Sequence, residues 1–171
     1  ASKDIQEVKS IHIESSSEGA KIVSMESAFQ NCRNLEEFKY KGWDNSELTN
    51  LKDAFSGCEL LTNLADFDID LTGIKDMSHM FENSNIETFA PEKLDLSKVE
   101  SMAYMFHDCS KLKTVKFPEG SSPNLKDISH MFEGCDSLTY VDLSNLQTSK
   151  VANMGSLFKD CFHLNQTKIN T

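Results

Sequence analysis

Apolar residues recur along the chain in aligned columns. Phenylalanine stands at Phe29, Phe55, Phe81, Phe106, Phe132 and Phe158, in steps of 26, 26, 25, 26 and 26 residues. Three residues after each comes Cys32, Cys58, Ser84, Cys109, Cys135 or Cys161; four before each lies Met25, Leu51, Met77, Met102, Ile128 or Met154. Ile22, Leu48, Ile74, Val99, Leu125 and Val151 stand seven before, and Ala28, Ala54, Met80, Met105, Met131 and Leu157 immediately before. This is a tandem array of about six and a half copies, and the repeat sets the fold.

Within one copy the apolar spacing runs three, three, one, three, three, a helical period that predicts a short helix with one buried stripe. Ser46, Thr72, Ser97 and Ser149 precede the stripe by two residues, where a hydroxyl can cap the helix, and Ser97 with Glu100 has capping-box spacing. After the cysteine the period changes to two. Phe38-Lys-Tyr40, Leu112 to Phe117, Leu138 to Leu143 and Thr167-Lys-Ile169 therefore read as short strands with one buried face. A loop follows, with one further buried position at Trp43, Ile69, Leu94 and Leu146, a column that Gly120 breaks.

One helix, strand and loop cannot enclose their own apolar residues, but stacked copies bury them against equivalent residues next door. The expected fold is an α/β solenoid, a leucine-rich-repeat-like coil of about six strand-loop-helix units with one parallel β-sheet. Residues 1–21, with Val8, Ile11 and Ile13 in alternation before a polar stretch from Glu14 to Gly19, form an N-terminal edge strand and cap; residues 22–171 form the array. The third copy, one residue short between Phe81 and Phe89 and with Ser84 in place of cysteine, predicts a tightened turn without a break in the stack. After Ile169 no polar cap is in view, so the array either continues in a longer parent chain or leaves its last coil exposed.

Two stretches carry a family resemblance. Leu138-Thr-Tyr-Val-Asp-Leu-Ser-Asn-Leu-Gln-Thr-Ser-Lys-Val-Ala-Asn-Met-Gly-Ser-Leu-Phe-Lys-Asp-Cys161 and Leu94-Asp-Leu-Ser-Lys-Val-Glu-Ser-Met-Ala-Tyr-Met-Phe-His-Asp-Cys109 closely resemble the BspA-like leucine-rich repeat of bacterial and mollicute surface proteins. The resemblance covers roughly residues 22–169; Tyr40-Lys-Gly-Trp43 and Phe67-Asp-Ile-Asp-Leu71 depart from the usual strand end. It implies a right-handed coil and a non-enzymatic protein-binding module of a cell-surface or secreted protein, active in adhesion or host interaction. The partner it implies is a protein, such as a host surface or extracellular-matrix protein. The other reading is an intracellular effector or regulatory scaffold on the same repeat surface. A fold alone does not choose between them.

Composition narrows the partners. The 171 residues carry 17 basic and 27 acidic side chains, net charge −10, so a phosphate backbone is repelled and no local basic patch offsets this. No apolar run approaches the roughly 18 residues of a membrane span, which predicts no membrane insertion. No signal peptide is recognisable, and the opening Ala1-Ser2-Lys3, without methionine, suits a processed or excised piece, so that observation says little about compartment.

Candidate chemistry was weighed residue by residue. The five cysteines fall one per coil, without a Cys-x-x-Cys pair, and read as small side chains filling a tight position. Met77, Met80, Met102, Met105, Met131 and Met154 read as core. Asp66-Phe-Asp68-Ile-Asp70 opens like a calcium loop but continues with Leu71 and Met77 where glycine and glutamate are required. His79 and His130 share a column two coils apart with Tyr104 between, roughly 10 Å at the strand spacing, too far to share a metal. Asn165-Gln-Thr167 matches a glycosylation acceptor by a pattern common enough to discount. No nucleophile elbow, phosphate loop or His-Glu-x-x-His sequence occurs, so no catalytic residue, cofactor site or metal site is expected. What remains is the outward strand face, where Glu37, Asn63, Thr88, Thr114, Tyr140 and Gln166 form one column and Lys39, Ala65, Ala90, Lys116, Asp142 and Lys168 the next. Glu37, Lys39, Asn63, Thr114, Lys116, Tyr140 and Asp142 are the candidate protein-binding residues.

Overall fold

Each phenylalanine lies in a run of consecutive turns, and the architecture follows from where those turns send their backbone N–H groups. The computed structural model describes residues 7–14, 21–42, 44–64, 69–91, 94–120 and 122–169. Around Phe106, the N–H groups of Met102, Tyr104, Phe106 and Asp108 donate to carbonyls of Asp127, Ser129, Met131 and Glu133 in the next coil, at 2.8–3.0 Å. The alternate N–H groups of Met105, His107 and Cys109 reach back three residues, to Met102, Tyr104 and Phe106, at 3.0–3.2 Å. Ala103 N–H donates to the Ser101 hydroxyl at 3.3 Å. That role recurs in one column: Asn50, Asp76, Asp127 and Asn153 accept from the N–H two residues on, at 2.8–3.1 Å. Every backbone donor of the run thus has a partner, as burial demands.

This alternation requires left-handed backbone at fixed places. Two residues before each phenylalanine, Ser27, Asp53, His79, Tyr104, His130 and Ser156 have φ of 53–58°. Two residues after it, Asn31, Gly57, Asn83, Asp108, Gly134 and Asp160 have φ of 55–74°. The expected helix is therefore replaced: no α-helix occurs among the described residues, and Leu96–Lys98 forms a three-residue 3-10 turn. The physical reason is that a helix must find its acceptors four residues back in its own chain, whereas here the neighbouring coil supplies half of them. The three, three, one, three, three spacing fits linked turns of three-residue reach as well as it fits a helix.

The hydroxyl caps are corrected with it. Ser46, Thr72 and Ser97 do not accept at a helix start; their own N–H groups donate to Asp44, Asp70 and Asp95 carboxylates at 3.0, 2.9 and 2.8 Å. These are Asx turns. No helix follows Ser149, and Glu100 ion-pairs with Lys126 at 2.6 Å instead of reaching back to Ser97.

The described strands are β1 (Ser10–Glu14), β2 (Glu37–Lys41), β3 (Thr88–Phe89), β4 (Thr114–Val115), β5 (Tyr140–Asp142) and β6 (Gln166–Lys168), at equivalent places in the coils that carry one. Among the described residues all pairing is parallel and forms three two-stranded sheets, β1-β2, β3-β4 and β5-β6, where a single sheet was expected. Strands of two to five residues give short ladders; beside them, Glu87 N–H donates to Thr62 at 2.8 Å and Ser137 N–H to Ser110 at 3.3 Å, while the turn runs carry the stack from coil to coil. Register is that of the repeat: Thr88 opposes Thr114 and Tyr140 opposes Gln166. On the other side of the core, parallel bridges link Ser24, Asn50, Asp76, Ser101, Asp127 and Asn153 in sequence.

Between the strands and the turn runs lies one continuous core. Phe55, Phe81, Phe106 and Phe132 are fully buried and stack ring on ring, with centroids 5.6–5.8 Å apart. Phe29 and Phe158, half-buried, extend the stack at 5.4 and 5.7 Å. Phe38 and Phe89, from β2 and β3, lean edge-on against it. Ile69, Leu94 and Leu146 are buried as expected, while Trp43 lies outside the described residues. The methionines of the middle coils are core, but Met154 in the sixth coil is 38% exposed.

The short third copy behaves as a local deletion. Elsewhere the turn after the cysteine position closes with a bond such as Leu112 N–H to Cys109 or Leu138 N–H to Cys135. In the third copy the chain runs from buried Ser84 to buried Ile86 without that turn bond. The stack continues across it, Phe81 N–H donating to Met105 at 2.9 Å.

Candidate functional site

On the strand face, alternation sends Phe38 and Tyr40 inward and Glu37, Lys39 and Lys41 outward. Glu37 accepts from Lys39 at 2.7 Å and meets His12 of β1 at 2.9 Å, and these two partners hold its carboxyl below the usual range. Its neighbour His12 escaped the sequence columns because β1 lies before the first full copy. Further along, Tyr140 is 44% exposed and its hydroxyl donates to Asp142 at 3.2 Å. Asp142 also accepts the Ser144 N–H and lies 3.7 Å from Lys168, and its carboxyl is held low by the Ser144 hydrogen bonds first.

The candidate residues thus fall into two groups. Glu37 and Lys39 meet at one end of the face and Tyr140 and Asp142 toward the other, four coils apart, or roughly 19 Å at the spacing of paired strands. Asn63, Thr114 and Lys116 lie exposed between them. Ala65 lies outside the described residues, as do Asp66 and Asp68 of the calcium-loop reading; Asp70 caps Thr72.

The opposite, turn-bearing face is more ordered chemically than the sequence suggests. The rings of His79, Tyr104 and His130 stack at centroid distances of 4.7 and 4.3 Å, each within 6° of parallel. One column places residues on successive coils, and left-handed backbone at each turns the rings outward together. Three residues on, His79 Nδ1 meets Glu82 at 2.7 Å and His130 Nδ1 meets Glu133. Cross-coil ion pairs recur along the stack: Lys21–Glu47 at 2.8 Å, Lys126–Glu100 at 2.6 Å, Lys159–Glu133 at 2.5 Å and, next to β3 and β4, Lys113–Glu87 at 2.7 Å.

Glu133 is the most strongly perturbed of these acids. Its hydrogen bonds from Lys159 first, and from His130, hold the carboxyl at about 2, against an ordinary value of 4.5. A carboxyl depressed on folding stabilises the fold above its unfolded pKa, and that contribution disappears as pH falls through the folded value. Lys159→Met is therefore expected to remove part of the rise in stability between about pH 2 and pH 4.5. Urea melts of both proteins across pH 2–6 check this; equal slopes would refute the assignment.

The cysteine column is structural. The thiols of Cys58, Cys109, Cys135 and Cys161 donate to the carbonyls of Phe29, Phe81, Phe106 and Phe132 in the preceding coil, at 3.3, 2.9, 3.1 and 2.8 Å. Burial pushes Cys58 and Cys109 up to about 12 and raises Cys135 further. A thiol held neutral is neither nucleophile nor metal ligand.

Comparison with known proteins agrees with this architecture. Residues 3–117 and 75–171 match the family described as Mycoplasma protein of unknown function, DUF285. A leucine-rich repeat protein from Bacteroides ovatus ATCC 8483 superposes with TM-score 0.62 at 21% identity, over 95% of this chain and 38% of that one. The T. pallidum leucine-rich repeat protein is similar at 21% identity over 92% of this chain and 57% of its own, with TM-score 0.43. The chain thus spans less than two thirds of either solved relative. No curated protein matches.

Proposed function

The chain belongs to the DUF285 family and is built as a leucine-rich-repeat solenoid, and from that premise we propose that it is a non-enzymatic protein-binding module. We place it on a cell-surface or secreted protein, where it serves adhesion or host interaction. The observation that carries this reading is the strand face: a row of outward side chains that includes the exposed Tyr140 beside Asp142, over a continuous core. Solenoids use such extended faces for recognition, and tyrosine is a common anchor because it combines apolar area with a polar tip.

The partner consistent with the net charge of −10 is a protein, not a nucleic acid. The test is capture of solubilised host-surface and extracellular-matrix proteins on the immobilised array, beside the variants Tyr140→Ala, Lys116→Ala and Glu37→Ala. Each substitution is exposed and is expected to shift stability by no more than about 0.5 kcal/mol. Loss of one captured protein in Tyr140→Ala, at unchanged melting, supports the strand face. Capture that survives all three variants refutes it. Fractionation of cells producing the native protein settles the compartment: a cytosolic pool alone would favour an intracellular scaffold.

A further inference from the structure

The turn-bearing face holds one cluster that the protein-binding reading does not use. Asp53 and His79 occupy the same left-handed position on adjacent coils, with φ of 56° and 57°, so their side chains emerge side by side. Glu82, three residues beyond His79, folds back toward them, its Oε2 2.7 Å from His79 Nδ1. One ligand-capable atom from each of the three lies within 4.8 Å of the other two, and all three residues are half-buried. We propose that Asp53, His79 and Glu82 form a binding site for a divalent transition-metal cation, zinc, which would clamp the second coil to the third.

The donor set fits zinc. An imidazole nitrogen with two carboxylate oxygens suits a borderline cation that takes such ligands at about 2.0–2.2 Å. Three protein ligands leave a further position for water, as zinc accommodates readily. A fourth group borders the cluster: His107, from the next coil, sets its Nδ1 3.2 Å from Glu82 Oε1 and 3.4 Å from Asp108 Oδ2, a nitrogen that is buried yet not aligned for a hydrogen bond. A carboxylate already bound to the metal is commonly oriented by such a neighbour.

The other His-x-x-Glu pair shows what the site needs. His130 and Glu133 repeat the geometry, but the preceding coil offers Tyr104 in place of an aspartate, stacked on the imidazole at 4.3 Å. Glu133 is already neutralised by Lys159 at 2.5 Å, where His107 stands beside Glu82. The first pair thus has an aspartate beside it and, among the described residues, no lysine on its glutamate, and the second has a lysine and no aspartate. The sequence columns, weighed through the cysteines, Asp66 to Asp70 and the His79–His130 pair, gave no expectation of a metal; the ligand set proposed here is drawn from neighbouring coils.

The experiment uses the untagged 171-residue chain. Zinc is titrated by calorimetry, melting is compared in zinc and in chelator, and the histidine ring nitrogens are followed by NMR. Expected are one zinc bound, a higher melting temperature in zinc, and movement of the His79 ring resonances with those of His130 unchanged. Asp53→Asn and His79→Asn are each expected to weaken zinc binding about tenfold or more, and His130→Asn to leave it as it was. Asparagine tolerates the left-handed conformation, so these variants keep the backbone, which their melting in chelator verifies. No zinc-dependent shift would reduce the cluster to a hydrogen-bonded ion pair. Binding that persists in Asp53→Asn and His79→Asn, or that moves only other histidine rings, would place zinc elsewhere, for instance at His12–Glu37 or His163–Asp136. Either result overturns the proposal.

Discussion

Phe106→Ala is expected to destabilise the protein by about 3–5 kcal/mol, the range for a large aromatic removed from a packed core. Phe106 is fully buried and its ring lies between those of Phe81 and Phe132, at 5.8 and 5.6 Å, with Phe89 edge-on at 5.3 Å. Truncation removes its own apolar burial and the flanking contacts of three aromatic neighbours, each such pair worth about 0.5–1.5 kcal/mol beyond area. The coils on either side are fixed by their backbone bonds, so the cavity cannot collapse fully. Phe158→Ala is expected to cost less, about 1–2 kcal/mol, since that residue is half-buried and stacks on Phe132 alone. Urea melts compare the two; a Phe106→Ala curve overlying wild type would refute the stacked-ring core.

The second large effect is expected at Asp108. This exposed residue has φ of 57° and its N–H donates to Glu133 of the next coil at 2.8 Å. Proline holds φ near −65° and has no N–H, so Asp108→Pro loses both the conformation and the cross-coil bond. It is expected to cost about 3 kcal/mol or more. Asp108→Ala is expected to cost about 1 kcal/mol, because alanine dislikes the left-handed region. Asp108→Gly is expected to be neutral or stabilising by up to about 1 kcal/mol. The equivalent positions Gly57 and Gly134 already use glycine, at φ of 71° and 74°. A helix would rank these substitutions differently, with alanine best and glycine about 1 kcal/mol worse. Denaturant midpoints of the three variants therefore separate a ladder of turns from a helix; alanine above glycine would refute the ladder.

That contrast marks how far the chain could be read unaided. The phenylalanine, methionine and cysteine columns were legible because the middle coils bury them alike, and Phe55 through Phe132 stack as their spacing required. The turn run was misread as helix because apolar spacing reports which residues face the core, not which carbonyl accepts each N–H. One signal was available: Asn31, Gly57, Asn83, Asp108, Gly134 and Asp160 form a column made only of the residues that accept positive φ. The companion column, with His79, Tyr104 and His130, carries no such mark, since there the inter-coil bonds override local preference. A second column, Asn50, Asp76, Ser101, Asp127 and Asn153, spelled out side-chain acceptors for the backbone. Of the strand-face candidates, Glu37, Thr114 and Tyr140 are exposed on their strands as alternation predicts. Their grouping was not legible, because His12 and Lys168 enter through register between coils.

The direction of the backbone bonds has an evolutionary consequence. In the first five turn runs alternate N–H groups point to the following coil, and the carbonyls that receive them stand at equivalent places in each receiving coil. Any coil therefore presents the same donors and acceptors to any neighbour, whatever side chains it displays outward. Gain or loss of a whole unit by unequal recombination then leaves the seams closed, while a slip of a few residues does not, unless it falls outside the run as it does between Ser84 and Ile86. Selection can lengthen such a protein, shorten it or shuffle its outer residues without renegotiating the fold.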